Sequence, residues 1–159
     1  IPNAFSQQSP AAELSEIEKL KADILSLRLL PNQSHTMIDV EYHFANLWFA
    51  GKGGNWPLAA FYQNETQSHL NWTVRLQQFR RLSSGEQLDL LPILQGIEST
   101  GLAQLKAAIA ATDTAAFEVA YEQMLGQCYS CHVAAEKPYL RPHIPAAPPS
   151  HLIDMEISQ

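Results

Sequence analysis

Cysteine is almost absent from this chain: 159 residues contain two. A single pair excludes the multi-bridge framework of small secreted scaffolds. Charge is also sparse, at 16%, and positive charge is the scarcer kind, with 10 Lys and Arg against 16 Asp and Glu. The resulting net charge of −6 and the lack of any basic patch argue against nucleic acid and acidic membrane surfaces as partners. Long apolar runs are missing too; none approaches the roughly 20 residues of a membrane span. The 46% hydrophobic content must therefore go into a core, and the length suffices for one. No internal repeat and no glycine-rich phosphate loop occurs. The chain begins at Ile1 without Met, which reads as a mature form whose targeting segment has been removed.

The two cysteines stand together. Cys128-Tyr129-Ser130-Cys131-His132 is a C-x-x-C-H run, the attachment pattern for c-type haem. Two thiols add across the two vinyl groups of the haem and become thioethers, and the next residue presents an imidazole to the iron. On a helix His132 and Cys128 lie one turn apart, so attachment and ligation share a side. Other readings fit less of the pattern. Structural zinc wants four ligands, usually as two spaced pairs, and His132 and His143 do not form a second pair. A thioredoxin-like dithiol belongs at the end of a strand in a βαβ unit, and no strand is expected nearby. A disulfide across two intervening residues would close a small strained loop and leave His132 unexplained. The expected cofactor is one covalent haem c, with His132 as the proximal iron ligand.

The rest of the chain reads as helices. Residues 1–10 are a polar lead-in. Leu14, Ile17, Leu20, Ile24 and Leu27 recur at three- and four-residue steps and predict a helix over 11–30, stopped by Pro31. Asn32 or Ser34 caps a second helix over 35–50, so apolar that most of it is buried, with Met37, Val40, Phe44 and Leu47 as its stripe. Asn55 caps a third that tolerates Pro57 and runs toward Leu82. Its seam carries Glu65 and His69, four apart. They could be half of a metal site, but the Glu-x-x-His pairs of a di-iron bundle are missing, and a hydrogen-bonded pair accounts for them. Residues 83–85 form a turn. A fourth helix covers 88–111, with Pro92, Gly96 and Gly101 suggesting a late start, a kink or a break. Thr112 or Asp113 caps the last helix, whose stripe is Phe117, Tyr121, Met124, Cys128 and Cys131. From Pro138 on, five prolines within twelve residues predict an extended, non-helical tail containing His143 and His151, both expected to be solvated.

The expected fold is all-α: an antiparallel four-helix bundle with an extra N-terminal helix, forming a haem domain over 1–137, and a proline-rich tail over 138–159. A C-x-x-C-H on the last helix of such a bundle resembles the cytochrome c′ group of c-type cytochromes. The resemblance spans roughly residues 32–136, and its one sharp motif is Cys128-x-x-Cys131-His132. It implies a periplasmic protein, often a homodimer, with a crowded distal haem face built by the first bundle helix, here 35–50. Aligning Gln33-Ser34 through His43-Phe44 with that helix puts Met37 at the distal position.

A filled sixth position suits electron transfer, whereas an empty apolar one admits NO or CO. Met37 and His43, six residues apart, cannot both face the iron. Met37 is the first candidate distal ligand, because it shares the buried stripe and carries a thioether; its alternative is core filler. His43 is the second candidate, its alternative being a histidine bonded to a backbone carbonyl. Electron transfer to an unidentified redox partner is the leading expectation and a gas-binding cytochrome the rival. A peroxidase-type enzyme comes third, since residues 35–50 offer no distal His and Arg pair.

Overall fold

The computed structural model describes residues 9–28, 30–150 and 152–155. Residues 1–8, most of the expected lead-in, and His151 fall outside them. The chain divides into two compact units, residues 1–31 and 32–159, so the proline-rich segment belongs to the same unit as the helices before it. The first unit holds α1, Pro10–Arg28, which starts on a Ser9 side-chain cap at Ala12 N.

The second unit is mostly helical, with one small sheet. Its helices are α2 (Gln33–Lys52), α3 (Trp56–Leu76), α4 (Leu91–Ile97), α5 (Ala103–Ala110) and α6 (Thr114–Ala134). Three starts match the caps read from sequence. The side chains of Asn32, Asn55 and Asp113 accept from the backbone N–H of His35, Leu58 and Ala116, which meets the donors a helix start leaves open. The all-α class holds broadly, with one correction. Phe79–Arg81 and Gln87–Asp89 are strands β1 and β2 of an antiparallel hairpin, with Arg80 opposite Leu88. The third helix therefore ends at Leu76 rather than near Leu82, and the fourth begins three residues late, at Leu91. The physical cause is the turn: Gly85 takes a φ of +91°, open to glycine, and Gly85 N and Leu82 N bond Leu82 O and Glu86 O to close it. Pro92 then falls in the first turn of α4, where its missing N–H costs nothing.

Between α4 and α5 the helix does not break. Glu98–Leu102 forms a π-helical turn with helical backbone on both sides. Gly101 lies in it, and a side chain there would strike Met124 and Gln127 of α6. Glu98 accepts from Gln67 Nε2 at 3.0 Å and Asn71 Nδ2 at 2.7 Å on α3. The widened turn thus sits where α6 and α3 both press close.

The core is built on α2 and α6. Phe44 stacks on Tyr121 with ring centroids 4.3 Å apart and planes 10° off parallel, and Tyr121 Oη donates to the Phe44 carbonyl at 2.9 Å. One turn along, Trp48 meets both Tyr121 and Phe117. Rising along α2 means descending along α6, so the two are antiparallel. Gly51 ends the seam, since any side chain there would overlap the buried Phe117 ring. α3 returns along α2: the Thr73 hydroxyl lies 2.8 Å from the Thr36 hydroxyl, and His69 lies against His43.

The segment after Pro138 is non-helical throughout its described residues and is anchored to the helical unit. Ser150 is buried, and its N–H donates to Asn46 Oδ1 at 3.2 Å, while Asn46 Nδ2 donates to the Tyr42 carbonyl. Met155 packs on the main core. Prolines carry the chain back to α2 without asking for ladder donors.

Thr112 links α5 to α6 at a φ of +52°, with Thr112 N bonded to Ile109 O and Asp113 N to Ala108 O. That is a Schellman end with a β-branched residue where glycine fits best. Thr112→Gly should raise the stability of the chain by about 1 kcal/mol, read from the midpoint of chemical denaturation. An unchanged or lower midpoint would show that Thr112 contributes more than its backbone angle costs.

Candidate functional site

The C-x-x-C-H run occupies the last turn and a half of α6. Cys128 and Cys131 are unpaired, half-buried thiols. Cys128 packs on the main core, and Cys131 on a second cluster of Val74, Leu90 and Leu94, edged by Leu70, Leu88 and Ile93. α3, β2 and α4 thus present an apolar wall to Cys131. Burial raises both thiols; Cys128 is pushed up to about 12, first by burial and then by the neighbouring Cys131. For Cys131 the Arg80 guanidinium partly offsets the burial. Both are neutral at pH 7.

His132 is oriented by the end of its own helix. Glu136 takes a φ of +59°, Glu136 N bonds Val133 O, and Lys137 N bonds His132 O at 2.8 Å. This Schellman end reverses the chain and brings the Leu140 carbonyl to His132 Nδ1 at 2.6 Å. A carbonyl only accepts, so Nδ1 carries the proton and Nε2 keeps the lone pair. An imidazole held this way is set up as a ligand, its second nitrogen fixing tautomer and ring plane.

The hairpin is tied to the same turn. Glu136 accepts from Ser83 N at 2.7 Å and from Ser83 Oγ. Arg80 on β1 donates to Gln33 Oε1 at 2.9 Å at the start of α2. The first turn of α2, the end of α3, the hairpin and the end of α6 therefore meet at one end of the unit.

Met37 is half-buried on α2. It lies two turns before Phe44, and Cys128 lies two turns beyond Tyr121. Because Phe44 and Tyr121 stack and the helices are antiparallel, Met37 and Cys128 are at the same level. His43 points elsewhere. Its ring packs on Tyr42, Tyr62 and His69, on the α3 side of α2. His69 Nδ1 donates to the Glu65 carbonyl at 2.9 Å, so the hydrogen bond expected within this pair is to backbone, with the Glu65 carboxylate 3.9 Å away. His43, Glu65 and His69 bring ligand atoms within 4.8 Å of one another. That convergence has no sequence signal, because His43 is on another helix. His143 is exposed and its Nδ1 donates to the Ile144 carbonyl at 2.8 Å.

No helix among the described residues is long and apolar enough to cross a membrane. The Ser83 hydroxyl and backbone N–H hold the Glu136 carboxyl below its ordinary value of 4.5. A carboxylate depressed in the folded chain adds stability above its unfolded value, and that contribution is lost as pH falls through the folded one. The melting temperature of the chain should therefore exceed that of Glu136→Gln at pH 7, and the gap should close as the pH drops below 4.5. A gap of constant size down to pH 2 would mean that the Ser83 contacts owe nothing to the charge. Comparison of the chain with protein-family models, with curated proteins and with solved structures finds no match.

Proposed function

We propose that this chain is a monohaem c-type cytochrome of the four-helix-bundle kind, similar to the cytochrome c′ group, working in electron transfer with a redox partner in the periplasm. The observation that carries the reading is His132 Nδ1 bonded to the Leu140 carbonyl, with Nε2 left as a lone pair on the residue that follows two half-buried, neutral thiols of the same helix. Counting α4, the π turn and α5 as one continuous helix gives four helices, α2, α3, that helix and α6, a number that supports the bundle reading.

The residues present fit the group. Cys128 and Cys131 are one turn apart on α6, neither is committed to a disulfide, and neither is a thiolate. Val74, Leu90 and Leu94 give the apolar lining that a porphyrin needs. Arg80, whose charge reaches Cys131, is a cation suited to a propionate. Bound there, haem would supply a one-electron iron centre. Cys128 and Cys131 would anchor it, His132 would be its proximal ligand, and the Leu140 carbonyl would make that imidazole more basic and hold its plane.

Between the two distal candidates the packing favours Met37. It lies level with Cys128, whereas His43 is turned toward α3 and engaged with His69. A thioether at the sixth position would favour the ferrous state and raise the potential relative to a bis-His haem. The apolar wall beside Cys131 would keep water from a bound iron, which suits electron transfer.

The purified chain should be heavier than its sequence by about 0.6 kDa, and the added mass should survive acid–acetone extraction. A mass equal to that of the bare sequence would end the proposal. The reduced protein should show a low-spin spectrum unchanged by CO, and Met37→Ala should become high-spin and bind CO. Ready CO binding by the unaltered protein would favour a gas-binding cytochrome, with Met37 packed at the site but not bonded. An unaltered spectrum in Met37→Ala with a high-spin His43→Ala would move the distal role to His43.

A further inference from the structure

A second cluster of ligand-bearing side chains lies between α2 and α3, and the haem reading makes no use of it. His43 on α2 faces Glu65 and His69 on α3. We propose that His43, Glu65 and His69 form a binding site for a late first-row divalent cation, of the zinc or copper class, separate from the C-x-x-C-H motif.

Four features point to a metal. The three side chains bring one nitrogen or oxygen ligand atom each to within 4.8 Å of the others. An ideal tetrahedral site has ligand atoms about 3.4 Å apart, since metal–ligand bonds are about 2.1 Å. Glu65, a long and half-buried side chain, has the rotational freedom to close part of that gap. Second, His69 Nδ1 donates to the Glu65 carbonyl at 2.9 Å, so its Nε2 keeps the lone pair. A backbone carbonyl on the far nitrogen is the usual support of a metal-bound histidine. Third, His43 Nδ1 is buried without a hydrogen-bond partner. A buried ring nitrogen left unpaired is costly, and a cation among these residues offers the ring the bond its protein neighbours do not. Fourth, the two imidazole rings lie only 4.6 Å apart.

The ligand set names the class of ion. Two imidazoles and one carboxylate suit zinc and copper far better than calcium or magnesium, which want oxygen donors. Three protein ligands also leave a coordination position for water. Glu65 and His69 come from adjacent turns of α3 and His43 from α2, so a bound ion would cross-link the two helices.

The test is titration of the purified chain with Co(II) and Zn(II), after dialysis against a chelator. Expected is one equivalent of Co(II) with the visible bands of a nitrogen and oxygen site and without thiolate charge-transfer absorption, displaced by Zn(II). His43→Ala and His69→Ala should each weaken Zn(II) binding at least tenfold in calorimetry, and Glu65→Gln should weaken it less than either. His143→Ala should leave it unchanged. A thiolate band, or binding indifferent to the His43 and His69 substitutions, would overturn the proposal, as would no binding at all. Because the readout needs no haem, failure here leaves the cytochrome reading standing, and failure to find haem leaves this site standing.

Discussion

The architecture depends on one contact, the stacking of Phe44 on Tyr121 between antiparallel α2 and α6. Apolar burial alone would let two such helices slide by a turn at little cost. The Tyr121 hydroxyl removes that freedom, because it is buried and must have a partner, and the Phe44 carbonyl is the one at hand, at 2.9 Å. Gly51 fixes the other end of the seam by admitting the Phe117 ring where any side chain would collide. With both ends set, the level of every residue on α2 against α6 is set, including that of Met37 against Cys128.

The end of α6 works by a different constraint. A side chain in the last turn of a helix, as His132 is, keeps one orientation only when it is held from outside the helix. Here the left-handed residue at Glu136 turns the chain so that Leu140 faces back on His132. A non-glycine residue in that conformation costs about 1–2 kcal/mol. The same Glu136 also grips the hairpin through Ser83, so the strained turn is held from both sides. The hairpin, in turn, presents Arg80 and Leu88 to the region around Cys131. Local strain, tertiary contact and the orientation of the His132 imidazole therefore meet in one short segment.

Much of this was legible in the sequence, and the reasons are residue-level. The caps at Asn32, Asn55 and Asp113 act over three residues, so local chemistry decides them. The stripes of α2 and α6 were readable because a buried helix repeats its apolar residues at helical steps. The hairpin was not. Phe79-Arg80-Arg81-Leu82 carries residues acceptable to a helix, and only the turn at Gly85 and the pairing with residues 87–89 make it a strand. Strands of three residues offer too few positions for a period of two to show. The path of the proline-rich segment was half legible: its lack of helix follows from composition, but its return to Asn46 is a contact more than a hundred residues long in sequence.

The two histidine-bearing regions show the same division between local and tertiary information. Cys128, Cys131 and His132 are contiguous, so their chemistry is printed in one stretch of five residues. The cluster of His43, Glu65 and His69 is split between two helices, and its pair on α3 by itself fits a plain hydrogen-bonding role. Only the packing of α2 on α3 adds the third ligand. His43 also shows why an apolar stripe needs its phase as well as its period. It neighbours Phe44 in sequence, yet one residue is a rotation of about 100° on a helix. That rotation takes His43 from the α6 side, where a haem ligand would have to be, to the α3 side, where it meets His69.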